Sequence, residues 1–329
     1  MKFATVLAVA AAACVVSGSP LRKRQLSNSG NNDITILNFA LLLETLEFEF
    51  YNTGLKKFGE ADFRRANIPN PTQAILNFHH ILQHEAKHVE TLKAVIKSLG
   101  GEAIPKCEFE FPMDSVQTFT KLASVLEKTG VAAYNGAVNL LKNPDLQTAA
   151  ANIDTVEARH ASFLQTVNGL DPFPADFDVA LDGRQVVTLA APVIKACPFE
   201  LPFAPFGALK VDESEVLLPG GECKVKFKRE GEQQHFCNFV FSDQSLVSEL
   251  SSDNKCEIPD EARGDVFLMI TSSEKGVTLK DTNAVVAGPV VLNVDTAHDD
   301  SCQRFVGKDG ENTVDSLEVP HQMPKHEMP

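Results

Sequence analysis

Q-H-E-A-K-H-V, residues 83–89, contains an H-E-x-x-H, and V-E-A-R-H-A, residues 156–161, repeats its Glu, Ala, basic residue and His without the leading histidine. The first stretch alone is the signature of a zinc-protease helix, with His84 and His88 as ligands and Glu85 as general base. Placing side chains at about 100° per residue tests that reading. Phe78, Ile81, Glu85, Val89, Leu92 and Ile96 then share one stripe, with His88 beside it and His84 off on the flank. Ile153, Glu157, Ala161 and Leu164 make a second stripe, with His160 beside Glu157. The repeating unit is therefore Glu-x-x-His, each copy with its carboxylate in the middle of an apolar face. His84, like His79 and His80, is expected at the surface. The zinc-protease reading stays as the weaker alternative, because it leaves the second copy unexplained.

Outward from these two stretches the pattern is helical from Asp33 to about Asn168. Breaks at N-I-P-N-P (67–71), G-G-E-A-I-P-K-C (100–107) and N-P-D (143–145) leave helices over roughly 33–58, 72–99, 114–142 and 145–168. Asp33, Thr72 and Asp114 are the expected N-caps, and Gly100-Gly101 a stop signal. The first and third helices also match each other. L-E-T-L-E-F-E-F-Y-N (43–52) aligns with L-E-K-T-G-V-A-A-Y-N (126–135), pairing Glu44 with Glu127 and Tyr51 with Tyr134, the chain's two tyrosines. Leu37, Ala40, Phe48 and Leu55 share the face of Glu44, and Val116, Ala123, Val131 and Val138 that of Glu127. The pattern predicts a four-helix bundle made of two copies of one helix pair.

Four glutamates facing one another in a bundle interior would cost several kcal/mol each, or would have to take up protons. Two divalent cations would neutralise them. One Glu from each of two helices, with Glu-x-x-His from each of the other two, is the known pattern of dinuclear iron and manganese carboxylate bundles. The predicted ligands are Glu44, Glu85, His88, Glu127, Glu157 and His160, and the predicted cofactor is two iron or manganese ions. Glu47, one turn after Glu44, stands where the third helix has Gly130. It is read as an extra ligand, a proton acceptor or a carboxylate at the bundle end. Tyr51 and Tyr134 either donate hydrogen bonds to ligand carboxylates, take part in one-electron chemistry or simply fill the core. Catalytic residues are otherwise unknown, and Glu47, Tyr51 and Tyr134 are the candidates.

Past the helices, R-Q-V-V-T-L-A-A-P-V-I-K-A-C (184–197) predicts a short fifth helix packed on the bundle. After a Pro/Phe-rich linker, C-K-V-K-F-K, F-C-N-F-V-F, D-V-F-L-M-I-T and P-V-V-L-N-V read as strands separated by turns such as P-G-G. The predicted fold is α+β with two domains, a helical bundle over 25–198 and a small antiparallel β-sandwich over 199–306. A polar tail over 307–329, carrying His321 and His326, is expected to be disordered. Residues 1–19 read as a signal peptide, with an apolar run from Ala4 to Val16, and residues 20–24 as a propeptide ending in the dibasic Lys23-Arg24, so that the mature chain starts at Gln25. No later stretch is long and apolar enough to span a bilayer. Cys14 leaves with the signal, and the six remaining cysteines favour three disulfides in an oxidising compartment. Cys107 is expected to pair with Cys197, since both lie outside the β domain. There is no C-x-x-C, and Asn70-Pro71-Thr72 fails as a glycosylation acceptor. The formal charge is −14, and loss of Lys2, Arg22, Lys23 and Arg24 takes it to −18. An acidic surface repels phosphates, which argues against a nucleic-acid partner.

L-N-F-A-L-L-L-E-T-L-E-F-E-F-Y (37–51), S-V-L-E-K-T-G-V-A-A-Y (124–134) and A-C-P-F-E-L-P-F (196–203) resemble the secreted ferritin-like proteins of fungi, the late sexual development family. C-E-F-E-F-P (107–112), G-P-V-V-L-N-V (288–294) and K-R-Q (23–25) are similar to that family too. The resemblance implies a ferritin-like bundle fused to a small β domain, exported or wall-associated, with a link to development or stress. It does not imply an iron-storing cage. Lys87 and Lys128, beside ligand positions, are expected to face outward. The leading functional expectation is a metal-loaded bundle that reacts with oxygen or peroxide, as a ferroxidase or as a manganese catalase would. The alternative is a non-catalytic extracellular protein with cell-wall or homo-oligomer contacts.

Overall fold

Two helical hairpins lie at the centre of the computed structural model, which describes residues 24–25, 32–212, 217–229, 233–279 and 281–294. Six α-helices fall among the described residues: α1 Asn32–Lys57, α2 Glu60–Arg65, α3 Pro71–Ser98, α4 Val116–Ala137, α5 Pro144–Val167 and α6 Gly183–Ala190. The four long ones match the predicted bundle, with differences at the ends. Asn70 precedes α3 with Pro71 at the first helical position, so Thr72 lies inside the helix rather than capping it. Ser115, not Asp114, caps α4, its side chain accepting from the Thr118 amide. Asp33 lies within the first turn of α1, where its Oδ1 accepts from the Lys142 amide at 2.9 Å. The third helix ends at Ala137, and a 3-10 turn, Val138–Leu140, carries the chain on. Helix α2 was not anticipated. Its Phe63 is fully buried and closes one end of the bundle against Phe78, at 5.4 Å between ring centres, and Phe119.

The fifth predicted helix is α6, capped by Asp182, whose side chain accepts from the Gln185 amide. Pro192 sits in the following 3-10 turn, and the chain then becomes extended. The strands in chain order are β1 Arg24–Gln25, β2 Glu108–Phe109, β3 Ile194–Ala196, β4 Phe199–Glu200, β5 Leu209–Val211, β6 Glu222–Phe227, β7 Phe236–Phe241, β8 Gln244–Glu249, β9 Lys255–Glu257, β10 Gly264–Thr271 and β11 Val285–Val294. β1 pairs with β4 and β2 with β3, as small clips on the helical part. The Cys107–Cys197 disulfide joins the α3–α4 connection to the segment after α6, the pairing that the sequence led us to expect.

Beyond Gly207 the strands among the described residues pair antiparallel, with isolated parallel bridges Gly207–Ala287 and Leu217–Val294. One sheet has the order β11-β10-β7-β8 and the other β5-β6-β9. Val225, Phe239, Leu268 and Ile258 share one core, and the Cys237–Cys256 disulfide ties β7 to β9 across the two sheets. Only two of the three expected disulfides occur among the described residues. Cys223 is a buried free thiol there, and Cys302 lies outside the described residues. The expected signal peptide, most of the expected propeptide and the C-terminal tail with its two histidines also lie outside them.

Helices α1 and α4 bury residues on more than one face. Leu42 on the outer side of α1 packs with Cys107, Cys197 and Phe199, and Ala132 and Ala133 of α4 pack with Val186 and Phe267. The β part and the long connections therefore cover faces that an isolated bundle would present to water. This corrects the expectation for Lys128. It points away from the bundle axis but not into solvent, and its side chain is 4% exposed. Lys87 does face solvent, paired with Glu90 at 2.9 Å.

Candidate metal centre

Helical periodicity delivers six donor side chains to one interior point. Glu44 comes from α1, Glu85 and His88 from α3, Glu127 from α4, and Glu157 and His160 from α5, and all six are buried. His88 Nδ1 lies 3.0 Å from Glu44 Oε2, 3.3 Å from Glu85 Oε2 and 3.2 Å from Glu157 Oε1. His160 Nδ1 lies 3.1 Å from Glu127 Oε2 and 3.3 Å from Glu85 Oε1. Two groups of four donors result, Glu44-Glu85-His88-Glu157 and Glu85-Glu127-Glu157-His160, each with its atoms within 4.8 Å of one another. Glu85 and Glu157 belong to both groups. Either group could hold a metal ion.

The carboxylate chemistry fits a cation. Imidazole nitrogens lie 3.2 Å from Glu157 Oε1 and 3.3 Å from Glu85 Oε1, yet these buried atoms and Glu157 Oε2 make no well-formed hydrogen bond, although buried polar atoms are nearly always paired. Burial, and then the charges of the neighbouring glutamates, raise Glu85 and Glu157 well above the usual carboxylate range. Burial alone would lower His88, but the carboxylates of Glu157 and Glu44 beside it push it up to about 10. A cation held here would therefore have to displace protons from this cluster.

The two tyrosines cross over. Tyr51 follows Glu44 on α1 yet donates its hydroxyl hydrogen bond to Glu127 of α4, while Tyr134 of α4 donates to Glu44 of α1. Antiparallel packing of α1 on α4 produces the exchange, so each hydroxyl bonds a carboxylate of the cluster from the opposite helix. Glu47 is buried one turn beyond Glu44. Gly130 makes room for it, since a Cβ there would lie 3.2 Å from Glu47 Oε1 and 3.1 Å from Glu157 Oε2. Burial, with the charges of Glu127 and Glu44, raises Glu47 well above its ordinary value. An apolar cavity of about 60 Å3 between the helices, walled by Leu37, Leu92, Ala133 and Val138, reaches Glu44, Glu47 and Tyr134.

His84 lies at the surface, as the sequence led us to expect, and it also makes a contact with the centre. It is exposed on one side, but its Nδ1 lies 3.0 Å from His160 Nε2, with the rings stacked 5.2 Å apart. It belongs to neither donor group, so the zinc-protease arrangement, which needs His84 and His88 on one ion, does not form. Periodicity along α3 could not reveal this contact, because His160 comes from another helix.

Residues 32–170, the helical part of this chain, match the family model of the ferritin-like domain. The chain is also similar to a fungal protein, Protein rds1 of Schizosaccharomyces pombe, at 32% identity over 171 residues. The match covers 51% of this chain and 40% of that protein, so well under half of the relative's length is represented.

Proposed function

We propose that the ferritin-like domain holds two iron or manganese ions and that the loaded centre reacts with a small oxidant. Glu44 and His88 would hold one ion, Glu127 and His160 the other, with Glu85 and Glu157 shared between them. The observation that carries this reading is that Glu85 and Glu157 belong to both donor groups while presenting buried oxygens that make no well-formed hydrogen bond. Imidazole with carboxylate oxygens suits iron or manganese better than a thiolate-seeking metal. Bound, such ions supply one-electron redox chemistry towards oxygen or peroxide.

The chain's own residues do the rest. Tyr51 and Tyr134 hold Glu127 and Glu44 in place through their hydroxyls. Glu47, its proton retained by burial, faces the cavity and is positioned to exchange a proton with a reduced oxidant. The aliphatic walls exclude water and favour an apolar oxidant, so dioxygen suits the cavity better than peroxide. Export fits the two disulfides, which persist in oxidising compartments. No helix among the described residues is long and apolar enough to cross a membrane. Membership of the secreted fungal family, with its link to stress or development, is part of the same proposal.

Metal analysis of the purified full chain tests the reading. About two iron or manganese ions per chain are expected. Glu157→Ala, which removes a shared donor, should lose both, and Glu44→Ala should lose chiefly one. A chain that takes up no metal, and whose melting temperature ignores chelator, would overturn the proposal and leave a non-catalytic scaffold.

A further inference from the structure

A histidine that binds a metal through one ring nitrogen carries its proton on the other, and the group that receives that proton fixes both tautomer and ring orientation. In the His160 half of the centre the inward nitrogen is Nδ1, facing Glu127 at 3.1 Å and Glu85 at 3.3 Å. The proton then belongs on Nε2, and the acceptor within reach of Nε2 is Nδ1 of His84, 3.0 Å away. A neutral imidazole has one donor and one acceptor nitrogen, so His84 can accept there while its own proton sits on Nε2. We propose that His84 is a positioning residue for His160, holding it with Nδ1 turned inward, and that it makes the two halves of the centre unequal. This inference rests on the metal-binding reading above.

The inequality is visible in the repeat itself. His84 immediately precedes the Glu-x-x-His of α3, and the residue in the same place before the Glu-x-x-His of α5 is Val156. Val156 has no hydrogen-bonding side chain, so α5 cannot do for His88 what α3 does for His160. The near-parallel rings, tilted by only 12°, also make a packing contact. An apolar side chain at position 84 would preserve that packing and remove the acceptor, which separates the two roles.

The experiment is chelator competition for Mn(II) on the full-length protein, with His84→Leu and His84→Gln beside wild type. His84→Leu should weaken one of the two bound ions by about 10- to 100-fold and leave the other as in wild type, the loss usual for an outer partner of a metal-binding histidine. His84→Gln, whose Oε1 accepts a hydrogen bond, should recover most of that loss. Melting temperatures of the metal-free variants should stay at the wild-type value, because His84 lies at the surface. Full Mn(II) affinity at both positions in His84→Leu would overturn the inference and leave the metal-binding reading standing. Equal weakening of both ions by His84→Leu and His84→Gln, with a lowered melting temperature, would also overturn it, as the mark of a packing role. Wild-type protein that binds no Mn(II) or iron would overturn both readings together.

Discussion

Replacing Lys128 by Met removes a cation that the β part has enclosed, and the cost can be worked from its partners. The ammonium group donates to Gln165 Oε1 at 3.0 Å and to Asn293 Oδ1 at 2.7 Å, and it pairs with Asp265. Lys128 is 4% and Asp265 21% exposed at the side chain. Breaking a buried ion pair from one side costs about 3–5 kcal/mol, mostly through the charge left behind. Asp265 retains a 3.0 Å hydrogen bond from Gln165 Nε2 and some solvent, which places Lys128→Met at the low end, about 3 kcal/mol. Burial lowers Lys128 below the ordinary lysine value in spite of the opposing pull of Asp265. The pair therefore does not fully recover its desolvation, and removing both charges should cost less than removing either one. Lys128→Met with Asp265→Asn should then lose about 1–2 kcal/mol in total, less than the about 3 kcal/mol of Lys128→Met alone. Urea denaturation followed by circular dichroism, with unchanged slope, reads all three variants. A Lys128→Met protein within about 1 kcal/mol of wild type, or a double variant equal to the sum of the singles, would refute the claim that this contact holds sheet to bundle.

Three further outcomes follow from single contacts. A Cβ at Gly136 would lie 1.8 Å from the backbone oxygen of Leu181, which cannot swing aside, so Gly136→Ala should lose about 3 kcal/mol or more in the same denaturation assay. Gly130→Ala meets only the flexible ends of Glu157 and Glu47 and improves helix propensity, so thermal stability should hold while metal content, measured by elemental analysis, falls. Asp154, raised to about 6 by burial and by the charge of Asp178, binds its proton more tightly in the folded state than unfolded. Its ionised form is therefore disfavoured by folding above that value, and the native chain gains stability as pH falls towards about 4. Asp154→Asn should raise the melting temperature near pH 7, with the gain shrinking through pH 6 and absent below about pH 4. A pH-independent effect would assign the contribution of Asp154 to packing instead.

The sequence by itself determined which side of each long helix turns inward. Glu85 falls in line with Phe78, Ile81 and Leu92, and Glu157 with Ile153 and Leu164, because helical periodicity and water's rejection of apolar surface act on each segment alone. The Glu44 and Glu127 match, the short helix before Pro192 and the Cys107–Cys197 bridge were legible from the same local signals and from cysteine position. What covers the opposite face of a helix is not a local property. Lys128 has a sequence environment much like that of any outward lysine, and only β10 and β11 arriving from far along the chain enclose it. Tyr51 reaches Glu127 rather than Glu44, and His84 reaches His160, because the partners come from helices whose antiparallel register the periodicity of one helix does not encode. Tertiary packing therefore decided which side chains meet across helices, while the local pattern decided which of them were turned inward to be met.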